Sequence, residues 1–182
     1  GRLSDDEGET NGGGEGTSAG VVDIVASPAL DVVAVVLGTN DVILHNLKFD
    51  ETVTDFGVRR TRGNAVTCVA FSAGTGLPLL AVGTTSGAIL VFDLDRRQLH
   101  CVMGASGGGS DVLAHSQRVR SVQFLHNKPI LMSCADDNSV KQWAFEDSAK
   151  DNQPKLLRYR QGHSLPPTLV RHYDSKGGDS HQ

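Results

Sequence analysis

The sequence predicts an all-β fold built from repeated four-stranded antiparallel units, and three observations support this. Of the 182 residues, 21 are glycine and only 5% are aromatic, a composition typical of short strands joined by tight turns. Short apolar runs separated by turn residues recur along the chain. No segment between these runs is long enough for the crossover helix that parallel strands require, so a parallel α/β sheet is excluded.

The predicted strands fall into successive rounds from residue 20 onward, each rich in β-branched and aliphatic residues. The first round comprises Val21–Ala26, Val32–Leu37, Val42–Asn46 and a weaker strand, Thr52–Phe56. The second comprises Val66–Phe71, Leu79–Gly83, Ala88–Asp93 and Gln98–Met103. The third comprises Val119–Phe124, Ile130–Ala135, Val140–Phe145 and Lys155–Arg160, and Thr168–His172 is predicted to begin a fourth.

Two independent sets of residue spacings give the period of these rounds. The pairs that close the third strand begin at His45, Phe92 and Trp143, which are 47 and 51 residues apart, and His115 and His163 are 48 apart. Propeller repeats of the WD type run about 40–45 residues, and a Gly-rich insertion at 104–111 and a longer hairpin at 146–154 explain the excess. The sequence therefore predicts a partial WD40-type β-propeller of about three and a half blades, over 20–57, 64–103 and 114–160, with the next blade beginning at 162–174.

The third round carries a set of polar residues at the spacing of a blade-locking relay. His115 lies before the first strand, Ser133 in the second, Asp137 in the following turn and Trp143 near the end of the third. A carboxylate that accepts from a histidine, which in turn bonds a serine and an indole N–H, satisfies buried polar groups in series. We expect these four residues to form a structural relay.

Serine, histidine and aspartate in one neighbourhood also suit a hydrolase. However, no G-x-S-x-G turn surrounds Ser133, and we expect its side chain to point along a blade rather than into a cleft. We therefore predict no catalytic residue and no enzyme activity. The other rounds lack the relay, since His45 and Phe92 replace the tryptophan, and we expect apolar packing to hold them.

The ends of the chain differ from its body. Residues 1–19 are acidic and Gly-rich and are predicted to be a disordered leader, and 175–182 a disordered tail. Ser4, followed by three acidic residues, is either an acidophilic kinase site or part of a solvating linker. The net charge of −4 arises within the first 20 residues, so the remainder balances 16 basic against 16 acidic side chains. Such a neutral body gives no general signal for nucleic acid.

Two basic clusters are candidates for contact with RNA phosphates, the alternative being solvated surface. They are Arg59, Arg60 and Arg62, and Lys155, Arg158 and Arg160. The Gly-rich 104–111 segment lacks the P-loop lysine, so a flexible loop is expected there.

We predict no metal site and no cofactor. The seven histidines show no metal-ligand spacing, and Cys68, Cys101 and Cys134 form no CxxC pair. Reduced thiols inside apolar runs favour an intracellular protein. No apolar run reaches membrane length and no signal-peptide pattern is present, so no membrane partner is expected.

Several segments resemble one family of nucleolar WD-repeat proteins, those of the UTP-B subcomplex of the small-subunit processome. The resemblance is carried by ASPALDVVAVV (26–36), HNLKFDETV (45–53) and LLRYRQGHSLPPTLVRHYD (156–174), and covers roughly residues 20–174. GLPLLAVGTTSGAILVFDL and ADDNSVKQWAF fit the same order. The family, that of WD repeat-containing protein thirty-six, has U-three small-nucleolar-RNA-associated proteins as its yeast-type members.

The resemblance implies a fragment of the first of two tandem propellers, which precede a helical domain. It also implies a scaffold in the nucleus and nucleolus that supports pre-rRNA processing and small ribosomal subunit assembly. The expected partners are other UTP-B subunits and, directly or indirectly, the pre-rRNA and snoRNA ribonucleoprotein, with no small-molecule substrate. The alternatives are a peptide-binding adaptor, such as a ubiquitin-ligase substrate receptor, and a propeller that binds RNA directly. The adaptor would need an Arg-lined central pocket and a ligase-binding motif, and neither is visible in the sequence.

Overall fold

Three antiparallel sheets make up the part of the chain that the structure describes. It is a computed structural model, and it describes residues 20–53, 64–74, 76–104, 114–145 and 154–172. The strands are β1 (Val21–Ala26), β2 (Val32–Leu37), β3 (Val42–Asn46), β4 (Glu51–Val53), β5 (Val66–Phe71), β6 (Leu79–Thr84), β7 (Ile89–Asp93), β8 (Gln98–Met103), β9 (Val119–Phe124), β10 (Ile130–Ala135), β11 (Ser139–Ala144) and β12 (Lys155–Gln161). Each sheet contains four strands that are consecutive in sequence and paired in chain order: β1–β4, β5–β8 and β9–β12. The predicted all-β fold of four-stranded antiparallel blades is confirmed.

The 47- and 51-residue spacing is visible as repeated geometry. One hydrogen bond joins the residue after the third strand to the loop before the second strand in every blade: Leu47 N to Asp31 O (2.8 Å), Leu94 N to Pro78 O (2.9 Å) and Phe145 N to Pro129 O (2.8 Å). The turn before the third strand also repeats one left-handed residue: Asn40 (φ 70°), Gly87 (φ 89°) and Asn138 (φ 58°). The three rounds of the sequence are therefore three copies of one structural unit.

The second blade lies between the other two, and its strand β6 is buried along its whole length. Because side chains alternate across a strand, Leu79 and Ala81 pack on the third blade while Leu80 and Val82 pack on the first. The inner strands β1, β5 and β9 contact one another in order. Two apolar cores result, one between each pair of neighbouring blades.

A glycine sets the distance between the second and third blades. A Cβ atom at Gly83 would lie 2.6 Å from Cys68 Sγ and 2.9 Å from Val119 Cγ1. No larger residue fits there without displacing β9, so the close approach of these blades depends on glycine at this position.

Two predicted strands differ in the structure. The weak strand predicted at Thr52–Phe56 is observed as Glu51–Val53, and residues 54–56 lie outside the described residues. The strand predicted at Thr168–His172 is wrong, because those residues form no strand. Within the described ranges that segment pairs with no neighbouring strand, and a strand is stabilised only by its ladder partners.

The segment 162–172 instead crosses from the outer strand β12 back to the inner strand β9. Its His172 N donates to Gln123 Oε1 on β9 at 3.0 Å, and Val170 is buried. This return path places the end of the segment beside the inner strand of the third blade.

Several predicted features lie outside the described residues. They are the leader at 1–19 with Ser4, the cluster Arg59, Arg60 and Arg62, positions 105–111 of the Gly-rich insertion, and the tail at 175–182. In the described ranges, no helix has the length and apolar character needed to cross a membrane. The same ranges contain no group of three or more histidine, cysteine or acidic side chains placed to hold a metal ion.

Candidate functional site

The polar cluster of the third blade is buried at its contact with the second blade. His115 lies in the loop that enters the third blade, and its backbone N–H donates to Gly87 O of the second blade at 3.1 Å. Ser133 sits on β10 and Trp143 on β11, on the sheet face that packs against the second blade. The His115 ring is fully enclosed and Ser133 has no exposed surface.

The structure brings together all four residues of the predicted relay. Trp143 Nε1 donates to Ser133 Oγ at 3.0 Å, and Ser133 Oγ lies 2.8 Å from His115 Nε2. On the other side of the ring, His115 Nδ1 lies 3.0 Å from Asp137 Oδ2. An unbroken chain of hydrogen bonds thus runs from the indole to the carboxylate.

The geometry assigns the protons along this chain. Nδ1 faces a carboxylate and so carries the ring proton, which leaves Nε2 to accept from the Ser133 hydroxyl. The histidine is then neutral. Burial lowers the pKa of His115 and outweighs the opposing attraction of Asp137, in agreement with this assignment.

Asp137 is held by more groups than the sequence predicted. Ser139 Oγ donates to Asp137 Oδ1 at 2.6 Å, and the backbone N–H groups of Ser139 and Ser116 donate to the carboxylate, each at 3.1 Å. Burial alone would raise the pKa of Asp137, but the Ser139 hydrogen bond, the adjacent His115 ring and the Ser116 N–H together lower it. Ser139 was missed because a serine after an Asp-Asn turn looks like ordinary turn composition.

Lys141 also belongs to the cluster and was missed. Its Nζ donates to Ala114 O at 2.7 Å and lies 5.7 Å from the Trp143 ring centroid and 5.2 Å from that of Tyr159. Burial lowers the pKa of Lys141, and the Asp137 charge partly opposes this. The alternation of side chains along β11 could have identified both Ser139 and Lys141, because positions 139, 141 and 143 share one face of the strand.

The distances match those of a Ser-His-Asp triad, but the surroundings do not suit hydrolysis. A nucleophilic serine must reach a substrate carbonyl, whereas Ser133 Oγ is enclosed and already bonded to both the imidazole and the indole. These hydrogen bonds hold two strands, the turn between them and the entering loop in register. The chemistry that this arrangement performs is the satisfaction of buried polar groups.

The first two blades replace the relay with other contacts. In the second blade Phe92 occupies the Trp143 position and is buried, while Thr84 Oγ1 lies 3.0 Å from Ser86 Oγ. In the first blade His45 Nδ1 bonds Thr52 Oγ1 at 3.0 Å and its Nε2 lies 3.3 Å from Asp50. In the described residues of these two blades, no buried histidine–carboxylate pair like that of the third is present.

The second predicted basic cluster lies along β12, the outer strand of the third blade. Arg158 pairs with Gln142 and Arg160 with Val140, and Lys155 pairs with Ala144. Directly opposed residues share a sheet face, so all three cations lie on the face away from the second blade. All of β12 is exposed.

The three cysteines are free thiols. Burial raises the pKa of Cys101 to about 12, and burial followed by the neighbouring Cys68 raises that of Cys134 to about 11. Burial also raises the pKa of Cys68. A thiol reacts as the thiolate, so none of the three is activated as a nucleophile.

Comparisons with known proteins place these blades in one family. The family model described as WDR36/Utp21 first beta-propeller matches residues 10–146. WD repeat-containing protein 36 of Homo sapiens is 35% identical over 162 residues, which cover 89% of this chain and 16% of the human protein. U3 small nucleolar RNA-associated protein 21 homolog of Schizosaccharomyces pombe is 31% identical, covering 85% of this chain and 15% of that protein.

The Saccharomyces cerevisiae relative is U3 small nucleolar RNA-associated protein 21. It is 30% identical, with 82% of this chain and 16% of that protein covered. The chain therefore spans only 15–16% of the length of these relatives.

Solved structures agree on the fold. The crystal structure of RRP9 WD40 repeats superposes with a TM-score of 0.61 at 18% identity, covering 86% of this chain and 44% of that one. The structure of U3-55K gives a TM-score of 0.60 at 19% identity, covering 86% and 45%. The chain thus has the architecture of part of a WD40 propeller, and its sequence makes it a member of the WDR36/Utp21 family, within the first β-propeller.

Proposed function

We propose that this chain forms blades of a non-catalytic WD-repeat scaffold in the small-subunit processome, where it supports pre-rRNA processing and small ribosomal subunit assembly. The observation that carries the proposal is the family match over residues 10–146. The names of the two yeast relatives link them to the U3 small nucleolar RNA. A scaffold of this kind would act in the nucleus, within the nucleolus, and we propose that location for this chain.

The blades that we propose span 20–57, 64–103 and 114–160, with 162–174 leading into the next. The first two sheets fall within the first two ranges, and the third sheet exceeds its range by one residue, since β12 ends at Gln161. In the described blades, the inner strand of each blade contacts the inner strand of the blade before it, as β5 contacts β1 and β9 contacts β5. The segment 162–172 likewise returns to β9, which supports the last boundary.

We propose that the His115 relay is structural and that the protein is not an enzyme. The only Ser-His-Asp arrangement among the described residues is closed to solvent at its serine. Its role is to lock the third blade and to fix the loop that touches Gly87 of the second.

We propose other UTP-B subunits as the partners, with the pre-rRNA and snoRNA ribonucleoprotein contacted directly or through them. Blade edges and loops supply the contact surface, as is usual for propellers. No small-molecule substrate is proposed.

The experiment that tests the scaffold is depletion of the full-length protein. Small-subunit rRNA precursors should accumulate, as measured by hybridisation with probes to the precursor spacers, while large-subunit precursors serve as the internal control. Unchanged small-subunit precursors after complete depletion would rule the proposal out.

A second candidate function, direct RNA contact, is favoured by the basic face of β12. Its cations are aligned on one sheet face and exposed, which suits a phosphate backbone. The test replaces Arg158 and Arg160 by glutamate in the full-length protein and measures crosslinking to RNA. The matched control is Lys128→Glu, which reverses the charge of an exposed cation in the loop between β9 and β10.

Loss of crosslinking in the arginine variant alone would support direct contact, and equal crosslinking in all three proteins would exclude it at this strand. The other predicted cluster, Arg59, Arg60 and Arg62, lies outside the described residues and is tested by the same charge reversal.

A further inference from the structure

The turn between β3 and β4 presents two large apolar side chains to solvent. We call residues 47–50 the blade-one tip. In it, Leu47 is 59% exposed and Phe49 is 64% exposed. Turns favour small polar residues, so a large aromatic side chain exposed in a four-residue turn requires an explanation.

The blade-one tip is a well-formed turn. Asn46 Oδ1 accepts hydrogen bonds from Lys48 N at 2.9 Å and from Phe49 N at 3.2 Å. Leu47 N donates to Asp31 O, and Asp50 adopts a left-handed φ of 53°. The apolar side chains are therefore held outward by a hydrogen-bonded backbone.

The second blade contains the same turn with a charged side chain in place of the exposed aromatic one. Leu94, the counterpart of Leu47, packs there against the core between the first two blades, so the comparison singles out Phe49. There Asp93 Oδ1 accepts from Arg96 N at 2.9 Å, and Arg97 adopts a φ of 51°. At the spacing of 47 residues Arg96 occupies the position of Phe49 and pairs with the Asp93 carboxylate. The turn thus forms equally well with a charged residue, and nothing in its geometry calls for phenylalanine.

We propose that the blade-one tip is a docking knob for another protein, whose apolar pocket is bordered by basic side chains. Exposed aromatic residues on a preorganised turn are typical anchors of protein interfaces, since little conformational entropy is lost on binding. The inference rests on the proposed scaffold function, because it names a surface through which such a scaffold would hold a partner.

The charges around the tip select the class of partner. Two exposed acidic residues, Asp50 and Glu51, follow Phe49 directly in sequence, and exposed Asp31 accepts a backbone hydrogen bond from Leu47. Among the described residues, Lys48 Nζ lies 5.3 Å from the Phe49 ring centroid. Carboxylates repel RNA phosphates and attract lysine and arginine, so a protein with a basic rim fits this surface better than an RNA.

The test places a photo-crosslinking phenylalanine analogue, p-benzoylphenylalanine, at position 49 of the full-length protein in cells. The matched control carries it at position 96, in the equivalent turn of the second blade. We expect position 49 to give an RNase-resistant adduct with one polypeptide, in a peptide that contains apolar residues next to lysine or arginine. Position 96 should give none.

Phe49→Arg, which copies the turn of the second blade, supplies the second measurement. Its thermal midpoint should equal that of the wild type, because the same turn tolerates Arg96. Recovery of the crosslinked polypeptide with the full-length protein should fall by about tenfold or more, as for an interface anchor, whereas Arg96→Ala should leave it unchanged.

Three results would overturn the inference: equal crosslinking from positions 49 and 96, an adduct that RNase removes, or undiminished recovery with Phe49→Arg. Failure of the scaffold function is distinguishable from these. Depletion without any rRNA phenotype would reject the processome role, while the crosslink would still decide whether the tip binds a protein.

Discussion

At the scale of residues, the third blade depends on a buried histidine that is neutral and fully hydrogen-bonded. His115 connects Asp137, in a turn, to Ser133 and Trp143, on two strands. Removing one member leaves its neighbours buried without a partner, which costs more than the lost hydrogen bond itself. The relay is therefore cooperative, and substitutions that remove a single polar atom measure its contribution to the unfolding free energy.

Ser133→Ala should destabilise the protein by about 1–3 kcal/mol, because the His115 ring nitrogen and the Trp143 N–H both lose their partner. Chemical denaturation followed by Trp143 fluorescence measures this, since Trp143 is the single tryptophan. Ser116→Ala is the matched control, because only the backbone of exposed Ser116 bonds Asp137. Equal stability of the two variants would contradict the relay.

Stability should fall as the pH drops below about 6.5, the ordinary pKa of histidine. Burial lowers the pKa of His115, so the unfolded chain binds the proton more readily than the folded chain in this range. His100, whose pKa burial also lowers, adds in the same direction. The low pKa of Asp137 adds a further loss in stronger acid, near and below 3.8.

The measurement is the difference in unfolding free energy between about pH 7.5 and about pH 5.5, a range in which histidine titrates. His115→Gln should lose less stability over this range than the wild type, although it starts lower. A wild type that is more stable at the lower pH would contradict the neutral assignment.

At the scale of elements, the turns decide how the blades meet. The turn before the third strand requires a left-handed residue in every blade, and asparagine serves in the first and third. In the second blade the residue is Gly87, where a Cβ atom would lie 2.2 Å from His115 O. Glycine is needed here for close approach as well as for conformation.

Gly87→Ala should therefore lower the unfolding free energy by about 1–3 kcal/mol through strain and displacement of the His115 loop. Gly38→Ala is the control, since its Cβ atom would meet Gly20 O only at an ordinary 3.4 Å. Thermal unfolding of both variants measures the difference. A Gly87 variant as stable as the Gly38 variant would show that the two blades are not locked at this point.

Most of the elements were predictable because strand periodicity and turn residues are local signals. Val21–Ala26, Val66–Phe71 and Ile130–Ala135 were predicted with their observed bounds. Thr168–His172 was not, because its composition favours a strand but no described strand pairs with it. Strand formation there depends on a long-range partner, which local sequence does not encode.

The candidate site was likewise predictable only where the local sequence pattern identifies its residues. His115, Ser133, Asp137 and Trp143 have a recognisable spacing, and the structure brings them together. Ser139 and Lys141 join them only through the side-chain alternation of β11 and the loop at Ala114. Whether Phe49 is buried or exposed is likewise a tertiary property, which no local pattern in the sequence predicts.

At the scale of the whole molecule, the two outer sheets each have one face that no described blade covers. On the first blade Val21, Val22 and Ile24 are 57–68% exposed. On the third blade, the exposed apolar side chains lie along the edge strand β12, where Leu156, Leu157 and Tyr159 are 43–51% exposed. Apolar side chains on exposed edge strands favour association between chains.

The 182-residue chain on its own should therefore associate as its concentration rises. Sedimentation velocity over a dilution series should give a mass above 19.3 kDa that returns to the monomer value on dilution. Val22→Lys together with Leu157→Lys should keep the chain monomeric. A monomer at every concentration would show that these surfaces do not mediate association between chains.

As proposed, the chain belongs to a scaffold whose triad-like residues stabilise a blade and perform no catalysis. The most direct test depletes the endogenous full-length protein and supplies full-length wild type or Ser133→Ala, with small-subunit rRNA precursors measured against the amount of folded protein. We predict that depletion raises the precursors and that both proteins lower them equally per folded molecule. Unchanged precursors on depletion, or a folded Ser133→Ala protein that restores nothing, would contradict the account.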